Sequence, residues 1–387
     1  MSKLRVLHII PSLLKGGAER LTLDICASLN AIESVECLLV TLKPVNYYSD
    51  AGYSQEIVIC NSKVVPSLTS KPFIDTDELQ KLIVEFKPHI IHTHLFEAEI
   101  TAREINYPKA AWFSHLHDNM FQFKNMSIKD WTDKRRVTEF FEKSWMIKRY
   151  RKSKNAFIAI SNNAQSFFRQ TLPKDLQHIT LLHNAIDYSR FESPEAVMPS
   201  GNIISMATTG SLVDKKNQIF LIDVVKELNK RDYKAKLEVL GEGVNRAKIQ
   251  NAIDVNSLND QITLHGNVAR VEDFLKNVSF YVHPAYYEPF GLVLLEAMAA
   301  SKVCVSLNGK GNLDLHIEGQ NGFLIDPANA SAFAEKLIEL ALNPSLFKQV
   351  ARFSHEFAKN YDIHKYTAKL LDIYRNRRKE LGLPSVN

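Results

Sequence analysis

Short apolar, β-branched runs alternate along this chain with longer stretches whose apolar positions recur at about helical spacing. Strands are predicted at 6–10, 37–42, 89–92, 111–115, 156–160 and 179–183, with helices between most of them. A polar stretch, 187–202, carries Pro194, Pro199 and Gly201 and breaks the alternation, so it reads as a linker. The alternation resumes with strands at 203–207, 237–240, 262–264, 280–283 and 303–306. Beyond Asp326 the pattern is helical to the end, and 365–380 is amphipathic enough to pack on something else. Strands that alternate with helices predict parallel sheets, here two successive α/β units. Ligands of such sheets bind outside the carboxyl ends of the strands, and two such domains facing each other would make a cleft.

Composition changes this picture little. The length of 387 residues suits two or three domains, and 45% hydrophobic with 24% charged residues is ordinary for a globular protein. A net charge of +5 does not demand nucleic acid, but it suits anionic ligands or an anionic surface. Cys26, Cys37, Cys60 and Cys304 are scattered without a C-x-x-C pair, which points to reduced thiols in a cytoplasmic setting and away from structural zinc. No apolar run is long enough to span a membrane. The first residues are interrupted by His8 and Pro11 and lack a small-residue cleavage site, so a buried strand is expected there rather than a signal peptide.

The chemistry gathers where strands meet helices. Tyr286-Tyr287-Glu288-Pro289-Phe290-Gly291 runs into Leu292-Val293-Leu294-Leu295-Glu296, which puts two carboxylates eight residues apart across a loop-to-helix junction. Pro289 and Gly291 mark a turn that opens the helix, where a glycine lets a ligand approach the first N–H groups. Glu288 is expected in the loop, facing a site, and Glu296 within a helix buried on nearly every face, where a carboxylate needs donors. After the first strand, Gly16-Gly17-Ala18-Glu19 offers two glycines opening a helix. A dinucleotide fold would need G-x-G-x-x-G there and an acid near the end of the second strand, and neither is present. In the second unit, strand 203–207 leads through Gly210-Ser211-Leu212 to Asp214-Lys215-Lys216-Asn217, expected at a helix N-terminus, where lysines oppose the dipole unless an anion binds. A third turn, Asn308-Gly309-Lys310-Gly311-Asn312, follows strand 303–306, and three such turns in register suit a diphosphate. Two H-x-H pairs, His92/His94 and His115/His117, end strands of the first unit. Side chains two apart share a face, so a metal is conceivable, but no carboxylate-rich partner accompanies them. His117, followed by Asp118, reads as a hydrogen-bonding residue at the cleft, and His92 and His94 as structural.

Taken in order, Gly16-Gly17-Ala18-Glu19, Asn184-Ala185-Ile186-Asp187, Gly210-x-Leu212-x-x-x-Lys216-Asn217, Glu288-Pro289-Phe290-Gly291-Leu292-x-x-x-Glu296 and Gly309-x-Gly311-Asn312 resemble the motifs of retaining glycosyltransferase family 4. The resemblance spans nearly the whole chain. It implies the GT-B fold, two facing Rossmann-like domains with parallel sheets: an acceptor domain at 1–190, a nucleotide-sugar domain at 191–362, and a last helix, 363–387, crossing back to the first. It further implies that Glu288 contacts the transferred sugar, Glu296 the ribose and Lys216 the diphosphate, and that Gly16 and Gly17 close over the phosphates with His117 beside the sugar. Phe290, Gly291 and Leu292 complete the donor motif, and no metal or other cofactor is implied. Three positions depart from the family pattern. Ser211 stands where many relatives carry arginine, so that Lys215 or Lys310 is left to substitute; Ala185 replaces a glycine, and Asp314 a glutamate.

The expected function is therefore transfer of a sugar, with retained configuration, from a UDP-type donor to a saccharide or lipid-linked hydroxyl acceptor in surface polysaccharide or glycan synthesis. A sugar-nucleotide epimerase of the same architecture, a nicotinamide oxidoreductase and a non-catalytic nucleotide-binding protein are the alternatives. Between Lys129 and Lys154 ten basic residues outnumber four acids and are interleaved with Trp131, Phe140, Phe141 and Trp145. That composition suits peripheral docking on the anionic inner face of a membrane, near a lipid-linked acceptor.

Overall fold

The computed structural model describes residues 3–48, 53, 55–65 and 73–386. It divides into two compact units, Met1–Asn184 with Ile363–Asn387, and Ala185–Asp362.

The first unit alternates strands and helices from its start: β1 (Leu4–Ile10), α1 (Gly17–Asn30), β2 (Val35–Thr41), β3 (Ile57–Ile59), a short hairpin of β4 (Val64–Val65) and β5 (Phe73–Ile74), α2 (Asp77–Phe86), β6 (Ile90–His94), α3 (Phe96–Ala102), β7 (Ala111–Leu116), α4 (Lys134–Ser153), β8 (Ala156–Ala159), α5 (Asn162–Thr171) and β9 (Ile179–Leu181). Seven strands form one sheet in the order β3-β2-β1-β6-β7-β8-β9. All its pairings are parallel. Central strands of a parallel sheet are covered on both faces, which is why β6 and β7 are buried at every position.

The second unit holds α6 (Tyr188–Phe191), β10 (Ile203–Thr209), α7 (Phe220–Asn229), β11 (Lys234–Leu240), α8 (Arg246–Val255), β12 (Ile262–Gly266), α9 (Val271–Leu275), β13 (Phe280–His283), α10 (Leu292–Ala299), β14 (Val303–Leu307), β15 (Phe323–Ile325), α11 (Ala330–Ala341) and α12 (Pro344–Ala358). Its six-stranded sheet runs β12-β11-β10-β13-β14-β15, again all parallel. In each sheet the order reverses beside the first strand, between β1 and β6 and between β10 and β13, and side chains at such a switch point face a crevice. The last helix, α13 (Ile363–Glu380), belongs to the first unit, where Ser28 Oγ on α1 lies 2.8 Å from Thr367 Oγ1.

The α/β class and the parallel sheets agree with the pattern of the sequence. Two local expectations do not. The stretch 187–202 is no loose linker: Tyr188 and Phe191 are buried, the Tyr188 hydroxyl lies 2.9 Å from His355 Nε2, and Ser301 Oγ donates to the Ser193 carbonyl at 2.5 Å. The unit boundary accordingly falls at Asn184/Ala185, six residues before the expected one. Lys215 and Lys216 do not open an α-helix either. They form a single 3-10 turn, Asp214–Lys216, closed by Asn217 in the left-handed region (φ 53°), and α7 begins only at Phe220. The dipole of α7 therefore does not bear on them directly. Among the described residues no helix is long and apolar enough to cross a membrane.

Candidate active site

Three loops meet above the carboxyl ends of β10, β13 and β14. The loop after β13 is pinned to its neighbours through the backbone: Tyr287 N–H donates to the Lys215 carbonyl at 3.3 Å, Glu288 N–H to the Gly309 carbonyl at 2.7 Å, and Gly311 N–H to the Glu288 carbonyl at 2.9 Å. Asn217 Nδ2 donates to the Pro284 carbonyl at 3.2 Å. Buried Asn312 locks the third loop, accepting from Gly309 N–H at 2.9 Å and donating to the Leu307 carbonyl at 3.0 Å. Gly311 has no substitute here, since a Cβ would lie 1.9 Å from the Pro289 carbonyl oxygen. A fourth loop joins them, unmarked in the sequence reading: Leu212 N–H donates to the Glu242 carbonyl at 2.8 Å and Asn245 N–H to the Leu212 carbonyl at 2.9 Å. The Gly241-Glu242-Gly243 triplet directly after β11 was its available signal.

Glu288 is the centre of this arrangement. It is only 7% exposed, and its Oε2 pairs with the Lys216 ammonium and lies 3.1 Å from His283 Nε2. Burial pushes the carboxyl upward, but the charge of Lys216 and the contact with His283 outweigh it and hold the group well below the ordinary carboxylate range. Glu288 is thus a carboxylate at neutral pH. His283 ends the strand predicted at 280–283, and its position five residues before Glu288 is the signal the sequence offers for this pair. Lys215 extends over the Tyr287 ring, its Nζ 5.4 Å from the centroid, and Lys310 is exposed in the third loop.

Gly291 caps α10 from the left-handed region, at φ 107°, and as a glycine it has no side chain to cap the first N–H groups of that helix. Leu292 and Val293 are half-buried and every later residue of α10 is buried, as the apolar run predicted. Phe290 is buried beside Tyr361, ring centroids 6.2 Å apart. Glu296 is 4% exposed, one turn inside the helix. Its charge reaches Tyr281, whose phenol is pushed up first by burial and also by Glu296, and whose oxygen lies 2.9 Å from Thr209 Oγ1. Ser211 is exposed, and its carbonyl accepts from Gln218 Nε2 at 3.1 Å. The second unit therefore gathers Lys215, Lys216, Ser211, Glu288, Phe290, Gly291, Leu292 and Glu296 around connected loops.

Gly16, Gly17 and His117 lie in the first unit. Gly16 is the N-cap of α1 and is clasped by Tyr48, whose hydroxyl accepts from Gly16 N–H at 3.1 Å and donates to its carbonyl at 3.0 Å. His117 lines a cavity of about 280 Å3 with Asp118, Asn119, Gln122, Arg135 and Glu139. Behind it His8, His92, His94 and His115 are all fully buried. Nitrogens of His94, His115 and His117 lie within 4.8 Å of one another, close enough to consider a metal. The rings of His115 and His117, however, are stacked at 4.2 Å and 9°, so their in-plane lone pairs run parallel rather than converge on one ion. Both nitrogens of His94 already face other rings, at 2.8 Å from His8 Nδ1 and 2.8 Å from His117 Nε2. The cluster is a hydrogen-bonded stack as it stands.

Comparison with known proteins agrees with this geometry. The family described as Glycosyltransferase Family 4 matches residues 15–190, and Glycosyl transferases group 1 matches residues 198–360. An uncharacterized glycosyltransferase of Methanocaldococcus jannaschii is 32% identical over 167 residues, 43% of this chain and 46% of that protein. A poly(ribitol-phosphate) α-N-acetylglucosaminyltransferase of Staphylococcus aureus is 28% identical over 203 residues, 52% of this chain and 38% of that one. The chain thus spans less than half the length of these two curated relatives. The crystal structure of Anabaena HepE in complex with UDP shares the fold at a TM-score of 0.75 and 16% identity, over 95% of this chain and 99% of that one. With the two families matched in tandem along the chain and this fold in common, the protein belongs to the group 1, family 4 glycosyltransferases of GT-B fold.

Proposed function

We propose that the protein is a retaining glycosyltransferase that moves a sugar from a nucleoside diphosphate, UDP foremost, to a hydroxyl of a saccharide or lipid-linked acceptor in surface polysaccharide or glycan synthesis. The observation that carries this reading is the buried Glu288 carboxylate, paired with Lys216 beside the glycine-capped N-terminus of α10. A carboxylate fixed there suits a sugar that gains positive charge as its bond to phosphate breaks. Cations and helix N–H groups suit the phosphate that gains negative charge. UDP in the HepE complex and the N-acetylglucosaminyl activity in the name of the Staphylococcus relative support the donor class.

In this mechanism the bond from the anomeric carbon to the leaving phosphate breaks while the acceptor oxygen bonds to the same face of that carbon. The acceptor proton passes to the phosphate oxygen. Lys216 and the α10 N–H groups take up the phosphate charge, with Lys215 and Lys310 in reserve where Ser211 replaces an arginine, so that no metal is called for. Glu296 holds the ribose. The test is a panel of nucleotide sugars with hydroxyl acceptors, read by nucleoside diphosphate release and by the anomeric configuration of the product. Consumption of a donor with retained configuration is expected. Turnover to an epimerised nucleotide sugar without an acceptor would favour the epimerase reading instead.

The reading extends to the membrane through α4. Trp131 is 57% exposed, and Phe140 and Phe141 are 39% and 37% exposed. Trp131 and Phe140 lie 5.6 Å apart, and Phe140 and Phe141 5.7 Å. Lys129, Lys134 and Lys148 are exposed along the same segment. Several other basic residues of α4 are already matched, Arg136 by Glu139 and Arg151 by Asp175, so the lysines carry the unmatched charge. Exposed aromatic side chains with exposed lysines along one segment suit the headgroup region of an anionic bilayer, each lysine near the surface being worth about 1 kcal/mol. Co-sedimentation with vesicles should rise with their anionic lipid content and fall with salt; binding indifferent to both would remove the membrane from the account.

A further inference from the structure

Five aromatic groups form one hydrogen-bonded line inside the first unit. His92 Nδ1 lies 2.5 Å from the Tyr374 hydroxyl, and that hydroxyl 3.5 Å from His8 Nε2. His8 Nδ1 lies 2.8 Å from His94 Nε2, and His94 Nδ1 lies 2.8 Å from His117 Nε2. In a line of neutral imidazoles each ring donates from one nitrogen and accepts at the other, so the direction of a single bond fixes all of them. Burial lowers the imidazoles below the ordinary histidine range, reinforced by neighbouring rings at His8, His92, His94 and His117; His8 falls to about 3 and His115 to about 4, and all are neutral at pH 7.

Thr22 settles the direction. Its hydroxyl donates to the Ala18 carbonyl one turn back in α1 at 2.7 Å, the usual back-bond of a helical threonine, and so spends its one proton. The same oxygen lies 3.2 Å from His94 Nδ1 and can only accept there. His94 therefore carries its proton on Nδ1 and donates to His117 Nε2, which leaves the proton of His117 on Nδ1. Upstream, His8 donates from Nδ1 to His94, Tyr374 to His8, and His92 to Tyr374, so this one polarity pairs a donor with an acceptor at every contact of the line and leaves His92 Nε2, buried without a partner, as the unprotonated nitrogen at its start. His117 is half-buried, lines the cavity, and has Nδ1 left over.

We infer that Thr22, acting through His94, holds His117 in the Nδ1–H tautomer, so that His117 offers a hydrogen-bond donor, and no base, to a ligand oxygen in this cavity. The role rests on the glycosyl-transfer reading, in which the oxygen is a sugar hydroxyl. Thr22 and His94 are then positioning residues. The opposite polarity would make His117 Nδ1 an acceptor able to deprotonate a hydroxyl, so the two directions assign it opposite chemistry.

The direction can be read without any ligand. Long-range proton–nitrogen correlation spectra of the full chain labelled at histidine, with the His117 signals identified by their loss in His117→Gln, report which nitrogen bears the proton. The wild type and Thr22→Ser should both show Nδ1–H at His117, whereas Thr22→Val, which keeps the shape and loses the hydroxyl, should show a mixture with Nε2–H. Nε2–H in the wild type, or an unaltered pattern in Thr22→Val, would overturn the inference whatever the enzyme turns over. With an active donor and acceptor pair, Thr22→Val should lower kcat by about two- to tenfold, the worth of one neutral hydrogen bond, and Thr22→Ser should recover most of it. A mixed tautomer with unchanged kcat and KM would leave His117 without the donor role.

Discussion

Replacement of Lys216 by alanine is expected to lower kcat/KM by a hundredfold or more, the largest loss from any single change in the second unit. Lys216 is the cation paired with Glu288 and only 18% exposed at its side chain, so its charge is poorly screened. A partly desolvated phosphate that loses such a partner in the transition state forfeits at least about 3 kcal/mol. Ser211 heightens the effect, because one cation fewer shares the developing charge. The substitution also strands the buried Glu288 carboxylate with His283 alone, which is expected to cost unit stability of about 3 kcal/mol. A thermal melt run beside the kinetics separates the two losses. Ser211→Arg should recover part of the activity, since a guanidinium can fork onto phosphate oxygens, but it should not recover the melting temperature. Near wild-type transfer by Lys216→Ala would mean that the diphosphate binds elsewhere.

The second large effect distinguishes the two carboxylates. Glu288→Gln keeps the shape of the side chain but removes the charge that Lys216 and His283 now share. If Glu288 faces a sugar that becomes positive only during reaction, the loss falls chiefly on kcat, by about ten- to a hundredfold for one charge-assisted bond of about 1.5–3 kcal/mol. Glu296 sits a turn inside α10, where its charge reaches Tyr281 and where a ribose would change little between ground and transition states. Glu296→Gln should therefore raise the donor KM and leave kcat nearly intact. Equal effects on both parameters in both variants would show that these roles are misassigned.

What could be read from the sequence was local. The run from Glu288 to Glu296 announced itself because a proline, a glycine and an unbroken apolar helix leave few conformations open, and the structure places both carboxylates in loop and helix as expected. The longer strands of both sheets were visible through their apolar runs, the central ones being buried on both faces, whereas the three-residue edge strands β3 and β15, only partly buried, were not read. The misreadings came where a local signal was outvoted by packing. Pro194 and Pro199 suggested a free linker, yet Tyr188 and Phe191 between them and the first unit bury their rings in the second. Asp214-Lys215-Lys216 looked like a helix start, but the turn closes on Asn217 and the helix waits for Phe220. Partners far apart in the chain gave no signal at all: nothing near His8 foretells Tyr374.

The claim on which the rest depends is that a nucleoside diphosphate binds at the Lys216 turn without a metal. Calorimetric titration of the wild type and Lys216→Ala with UDP, in buffer containing a chelator, tests it directly. The account predicts saturable binding to the wild type under those conditions and an affinity at least about tenfold weaker in the variant. Equal affinity for both proteins, or binding that appears only when a divalent cation is restored, would contradict it.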